Sequence, residues 1–267
     1  MLRSVLTKTL RDQGLSLLWW VLGLAGLVAL HAFVYPTVRD KPELNELIED
    51  YPDVIKALIG GGASIGFTSP AGYLESELFS FLVPLVLLTF AIGLGANAIA
   101  GEEDRKTIDL LLANPISRER LVAEKLGALV LLAVALGLGL WLALVVFTSA
   151  VDMEIGALRL GEAVASAVLL ALHFGAFALL LGCLTGRRSL SMGLAAGAAI
   201  LAYVVNALAL LVGFLEPYRT FSPFFHYVGN EPLRNGLGAD HVAVLLGATA
   251  AMAVLALVAF ARRDVAA

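Results

Sequence analysis

The sequence predicts an all-α, polytopic integral membrane protein with six transmembrane helices, and three observations carry that reading. Hydrophobic residues make up 60% of the 267-residue chain and charged residues 15%, a balance that water-soluble domains of this length do not show. Mean hydropathy is +0.89, so lipid is the solvent for most of the chain. The apolar residues gather into six runs of about 20 or more, the length that crosses a hydrocarbon layer of about 30 Å at roughly 1.5 Å per residue. No run alternates as a barrel strand does.

The spans are predicted at Leu15–Tyr35, Phe79–Ala100, Leu126–Ala150, Ala163–Leu184, Leu190–Phe214 and His241–Ala261, with no internal repeat. Before the first span, Leu2, Val5, Leu6 and Leu10 recur at helical spacing opposite Arg3, Lys8 and Arg11, which predicts a surface helix over residues 1–14. The run that follows is too long for a secretory signal and ends in His31, Phe33 and Tyr35 without a small-residue cleavage site, so it stays as an anchor. Residues 36–78 form the first outer loop, with two short amphipathic helices (Leu44, Leu47, Ile48 and Tyr51; then Val54, Ile55, Leu58 and Ile59) closed by Gly60, Gly61 and Gly62. Residues 215–240 form an aromatic outer loop carrying Tyr218, Phe221, Phe224, Phe225 and Tyr227 between prolines. The whole chain, 1–267, reads as one membrane domain.

Lys and Arg set the orientation, because they remain preferentially in the cytoplasm. Arg3, Lys8 and Arg11, then Arg105, Lys106, Arg118, Arg120 and Lys125, then Arg187 and Arg188, and finally Arg262 and Arg263 put twelve on one side. The other side holds six: Arg39, Lys41, Lys56, Arg159, Arg219 and Arg234. Both termini are therefore expected in the cytoplasm; the membrane expected is a prokaryotic inner membrane.

Several chemistries are disfavoured. One cysteine, Cys183, offers neither a disulfide nor a Cys-based metal cluster. No phosphate-loop or His-Glu-x-x-His spacing occurs, so neither ATP hydrolysis nor zinc proteolysis is expected of this chain. It is read as a non-enzyme that binds no cofactor or metal, and nucleic acid is not an expected partner. No Asp, Glu, Lys or Arg lies near the middle of a predicted span, which argues against an ion-coupled carrier. His173 does lie mid-span; it reads either as a neutral histidine bonded across helices or as a group touching substrate or a proton. Asn206 leaves the same two readings open. Gly193 and Gly197 have the Gly-x-x-x-Gly spacing that lets helices approach closely, within one chain or between two.

The most informative stretch is the loop 101–125. Glu102, Glu103 and Asp104 suit a helix start, Ile108, Leu111 and Leu112 share a face, Asn114-Pro115 ends the element, and Ser117 can cap the third span. The apolar face needs a cover: bilayer, the chain itself or a partner. At about 1.5–3 kcal/mol per buried aliphatic side chain, three residues suffice to anchor a soluble partner.

The stretch Ala100-Gly-Glu-Glu-Asp-Arg-Lys-Thr-Ile-Asp-Leu-Leu-Leu-Ala-Asn-Pro-Ile-Ser-Arg118, followed by Glu124-Lys125, resembles the loop signature of type-2 ATP-binding-cassette permeases. Two positions depart from it: Lys106 and Glu124 stand where the family pattern has glycine. The resemblance implies an exporter subunit without catalysis of its own, working as two permeases, alike or closely related, with two copies of a separate ABC ATPase that binds the ATP and Mg. It implies a coupling helix at 103–113, with Glu103, Thr107, Ile108, Leu111, Leu112, Pro115 and Arg118 facing the ATPase, and the 1–14 helix as the family's connecting helix. It also implies a dimer formed along the first and fifth spans, with Gly193, Gly197, Asn206 and His173 as candidate dimer or pathway residues. The alternatives are an ion-coupled secondary carrier and a structural or signalling membrane subunit.

Overall fold

The computed structural model describes residues 4–41, 43–60, 66–108 and 116–263. Among these residues there is no strand, and six helices are long and apolar enough to cross a membrane. The first is α1 (Val5–Arg39). Two short helices, α2 (Glu43–Glu49) and α3 (Asp53–Gly60), follow it. The second span is composite: α4 (Pro70–Leu74) passes through a π-helical turn (Glu75–Phe79) into α5 (Leu82–Ala98). A single turn, α6 (Ala100–Asp104), leads from it into the loop. Spans three, four and five are α7 (Arg118–Ala150), α8 (Ala157–Thr185) and α9 (Arg188–Leu208). Two short helices, α10 (Glu216–Arg219) and α11 (Pro223–Val228), and a π-helical turn (Glu231–Asn235) precede the last span, α12 (Ala239–Arg262).

Serine starts four of these helices. Ser4, Ser69, Ser117 and Ser222 each accept a backbone N–H from the first turn with the side-chain oxygen, satisfying a donor that has no partner inside the helix. At the opposite end of α8, Gly186 takes the left-handed conformation (φ +65°) and its N–H returns to the Gly182 carbonyl, the usual way for a helix to stop on glycine.

Span four is the axis of the bundle. α8 packs against α5, α7, α9 and α12, and its buried residues occupy every side of the helix. Its crossing with α5 brings backbone onto backbone: a Cβ on Gly95 would overlap the Gly175 carbonyl, and one on Gly175 would lie 3.1 Å from the Ala91 carbonyl. Small residues permit this backbone-to-backbone approach. α1 runs beside α7 on one flank, while much of α1 and α9 is left uncovered, with Leu15, Leu18, Trp19, Ile200 and Leu201 more than half exposed.

All six predicted spans are present, but their ends differ. Residues 4–14, expected as a separate surface helix, are the cap and first turns of α1. At 35 residues that helix is about 52 Å long, so it outruns the hydrocarbon without a break at Gly14. The third span begins at Arg118 rather than Leu126, since polar residues continue its helix. The fifth stops at Leu208 rather than Phe214: residues 209–215 are apolar yet lie in turns. The outer loop likewise ends sooner than residue 78, because Pro70 already starts a helix.

Candidate functional site

The loop between spans two and three begins where α5 breaks at Ile99, and α6 brings two consecutive glutamates against the bundle. Glu102 forms an ion pair with Lys125 of α7 at 2.8 Å and accepts the Thr107 hydroxyl at 2.6 Å, while Arg105 lies 3.7 Å away. Burial works to raise the Glu102 carboxyl, yet the hydrogen bonds from Lys125 and Thr107, with the nearby positive charge, hold it below the ordinary glutamate value. Lys125 is only 8% exposed, so this pair is a buried charge with its counter-charge in contact. Lys106 has φ +57°, a left-handed backbone that suits glycine better than lysine. That geometry gives a physical reason for the glycine at this position in the family pattern.

Glu103 turns inward to the end of the chain. Its Oε2 meets the guanidinium of Arg263, which also donates to the Cys183 carbonyl at 3.0 Å and the Gly182 carbonyl at 3.4 Å. Arg118 donates to the Arg263 carbonyl. A Cβ on Gly186 would collide with both Arg263 and Glu103, so the glycine that ends α8 also makes room for this pair. Glu124, the second departure from the family pattern, accepts the Leu6 N–H at 3.1 Å and pairs with Arg120 at 3.0 Å, fastening the start of α1 to α7.

The expected coupling residues thus divide. Glu103, Thr107 and Arg118 bond within the chain, and Ile108 is buried (4% exposed) in an apolar cluster with Ile99, Leu121, Val122 and Phe260; the chain itself covers that part of the greasy face. Leu111, Leu112 and Pro115 lie outside the described residues. Ser117 does cap the third span, accepting the Arg120 N–H at 3.2 Å. Sequence reasoning counted Arg263 only as a topological charge. Its position just past an apolar run was visible, but its partner 160 residues away was not.

The dimer and pathway candidates do not cluster with the loop. Gly193 and Gly197 have nothing among the described residues, apart from their own helix, within 4 Å of a Cβ built on either. His173 is buried between α8 and α12, with its Nδ1 3.5 Å from the Thr249 hydroxyl and its ring edge-on to Phe174. Asn206, near the end of α9, keeps a buried Oδ1 without a hydrogen-bond partner among the described residues. Beside them, α5 and α9 enclose a groove of about 330 Å³ lined by Phe81, Leu85, Leu88, Thr89, Met192, Ala196, Tyr203 and Phe224. Its surface is almost wholly apolar.

At the far end of the bundle the aromatic loop is stitched down by three bonds. The Tyr227 hydroxyl donates to the Phe79 carbonyl at 2.7 Å, Ser166 to the Tyr227 carbonyl at 2.8 Å, and Ser222 to the Ala202 carbonyl at 2.8 Å. Burial raises the Tyr227 phenol well above its ordinary pKa, so it stays a donor. His226 and His241 face one another with their Nδ1 atoms 3.0 Å apart. Since His226 Nε2 must donate to the Thr220 carbonyl at 2.9 Å, the neutral pair places the shared proton on His241. No group of three or more His, Cys, Asp or Glu among the described residues is arranged to hold a metal ion.

Known proteins match this architecture. A relative from Stutzerimonas stutzeri, named "Probable ABC transporter permease protein NosY", is 33% identical over 175 residues, covering 62% of this chain and 62% of its own length. A protein of the same name from Pseudomonas aeruginosa is 33% identical over 165 residues, covering 57% of this chain and 58% of its own. The chain therefore spans less than two thirds of the length of either relative. The model of the family described as "ABC-2 family transporter protein" matches residues 18–265. The chain belongs to that family, and its six long apolar helices make it a multi-pass membrane protein.

Proposed function

We propose that two copies of this permease, or one copy with a close paralogue, form the pathway of an ATP-driven exporter in the cytoplasmic membrane. A separate ABC ATPase binds beneath the loop 101–125 on each permease, and both termini face the cytoplasm. This subunit contributes geometry and a binding surface, while ATP and Mg are handled by the partner.

The anchoring of the loop is the observation that carries the reading. Lys125 grips one glutamate and Arg263 the next, so a push on the intervening residues reaches the bundle instead of being lost in a slack linker. Leu111 and Leu112 belong to the coupling helix at 103–113 that the family resemblance assigns to the ATPase. The open glycine face of α9 and the exposed apolar face of α1 support a second copy across them, with small residues allowing close approach. In that arrangement the groove between α5 and α9 lies along the shared pathway, and its apolar lining suits a hydrophobic or amphipathic cargo.

Affinity purification of the tagged chain from native membranes tests this. Wild type should bring down an ABC ATPase, and Leu111→Asp should insert normally but lose that ATPase and transport. Reproducible absence of an ATPase from wild type, or normal capture and transport by the variant, overturns the proposal.

A further inference from the structure

Four segments distant in sequence meet at Arg263. Its guanidinium holds Glu103 of α6 on one side and the last carbonyls of α8 on the other, at Cys183 (3.0 Å) and Gly182 (3.4 Å). Its own carbonyl accepts Arg118 from the first turn of α7, and it stands one residue beyond α12. Gly186 adds the space, because any side chain there would occupy the position of the salt bridge. Both partners are mostly shielded, with side-chain exposures of 21% for Arg263 and 14% for Glu103.

A lysine could satisfy Glu103, but not this set. The planar guanidinium presents donors in a rigid fork, so one group grips a carboxylate and helix-end carbonyls at once. Those carbonyls also carry the negative end of the α8 dipole, which favours a cation there. A buried ion pair adds little net stability over an apolar replacement, so stability alone is a poor reason for this arrangement. Linkage between parts is a better one. Glu103 Oε1 is buried with no partner among the described residues, leaving an acceptor free for a donor in a second arrangement of the loop.

We propose that Arg263 is a positioning residue that joins the loop, at Glu103 and Arg118, to the ends of α8 and α12, so that spans four and six move when the loop is pushed. The inference rests on the coupling role proposed above for the same loop. Without the joint, the loop keeps its covalent links to spans two and three and, toward span six, the apolar packing of Ile108 beside Phe260.

Hydrogen exchange on the full complex with its ATPase in nanodiscs, with and without ATP plus vanadate, reads this directly. In wild type, nucleotide should alter exchange at residues 93–108, 179–187 and 252–263 together. In Arg263→Ala and in the isosteric Glu103→Gln, the change should persist at 93–108 and be lost at 179–187 and 252–263. Arg263→Lys should keep the response at 252–263 through Glu103 and lose it at 179–187, because the second prong of the fork is gone. A structural role alone would not separate the two segments in this way. Retention of the full response in a folded Glu103→Gln complex overturns the joint while leaving the permease reading intact. Failure of Glu103→Gln to fold reduces the pair to a structural tie and also overturns it. A wild-type chain that captures no ATPase overturns both.

Discussion

The charged loop end of the molecule and the uncovered glycine face of α9 are two very different surfaces. At the loop end nearly every polar group finds a partner inside the chain: Glu102 with Lys125, Glu103 with Arg263, Glu124 with Leu6 and Arg120. Along α9, a Cβ on Gly193 or Gly197 would meet none of the described residues outside that helix, and Ile200 and Leu201 are exposed by about two thirds. The contrast teaches that a family motif need not be an exposed one. The loop signature serves in large part to seat its own flanks, whereas the spaced glycines on α9 are left uncovered by the described residues of their own chain.

Removing one partner of the buried pair breaks the comparison most severely. Lys125→Met leaves Glu102 shielded without its main counter-charge and should cost about 3 kcal/mol or more, read as a lowered thermal midpoint in detergent; an unchanged midpoint would mean the loop end is not self-contained. The same pair carries a pH dependence. Since Glu102 is held below its ordinary pKa in the fold, its stabilisation is complete above the unfolded value of about 4.3 and is lost as pH falls through the lower folded value. Glu102→Gln should flatten that acid-side decline, which a pH series of melting curves measures.

Glycine substitutions sharpen the comparison at intermediate cost. Gly95→Val drives a side chain into the Gly175 carbonyl and should destabilise the folded chain by about 1–3 kcal/mol. Gly197→Val should leave the monomer within about 0.5 kcal/mol of wild type while weakening self-association in bilayers, counted by single-molecule photobleaching. Equal effects of the two would erase the distinction between a packed and an open glycine. The smallest change expected is a gain: Lys106→Gly relieves a left-handed lysine and should raise stability by up to about 1 kcal/mol, whereas Lys106→Val should lower it.

What was legible follows from range. Six spans could be read because hydrophobicity over a window of about 20 residues is a local property set by membrane thickness. Their ends could not, because apolarity reports the preference for lipid and helicity reports backbone bonding. Arg118 to Lys125 is polar and helical, while residues 209–215, with Gly213 among them, are apolar and turned. Ser117 was legible as a cap, since its partner is three residues away. The Glu103–Arg263 pair was not, because no local period links residues 160 apart. Gly193 and Gly197 were found by spacing, but only the packed structure showed that their own chain leaves them bare. Lys106 was noticed as a mismatch to a pattern, and its meaning appeared only with its dihedral angle.

Where α5 crosses α8 at Gly95 and Gly175, main chain rests on main chain, with Ala91 and Leu129 packed beside the contact. The two spans consequently behave as a single rigid strut through the centre of the molecule. The pair can therefore shift as one body, while changes of shape are taken up where the outer helices meet it.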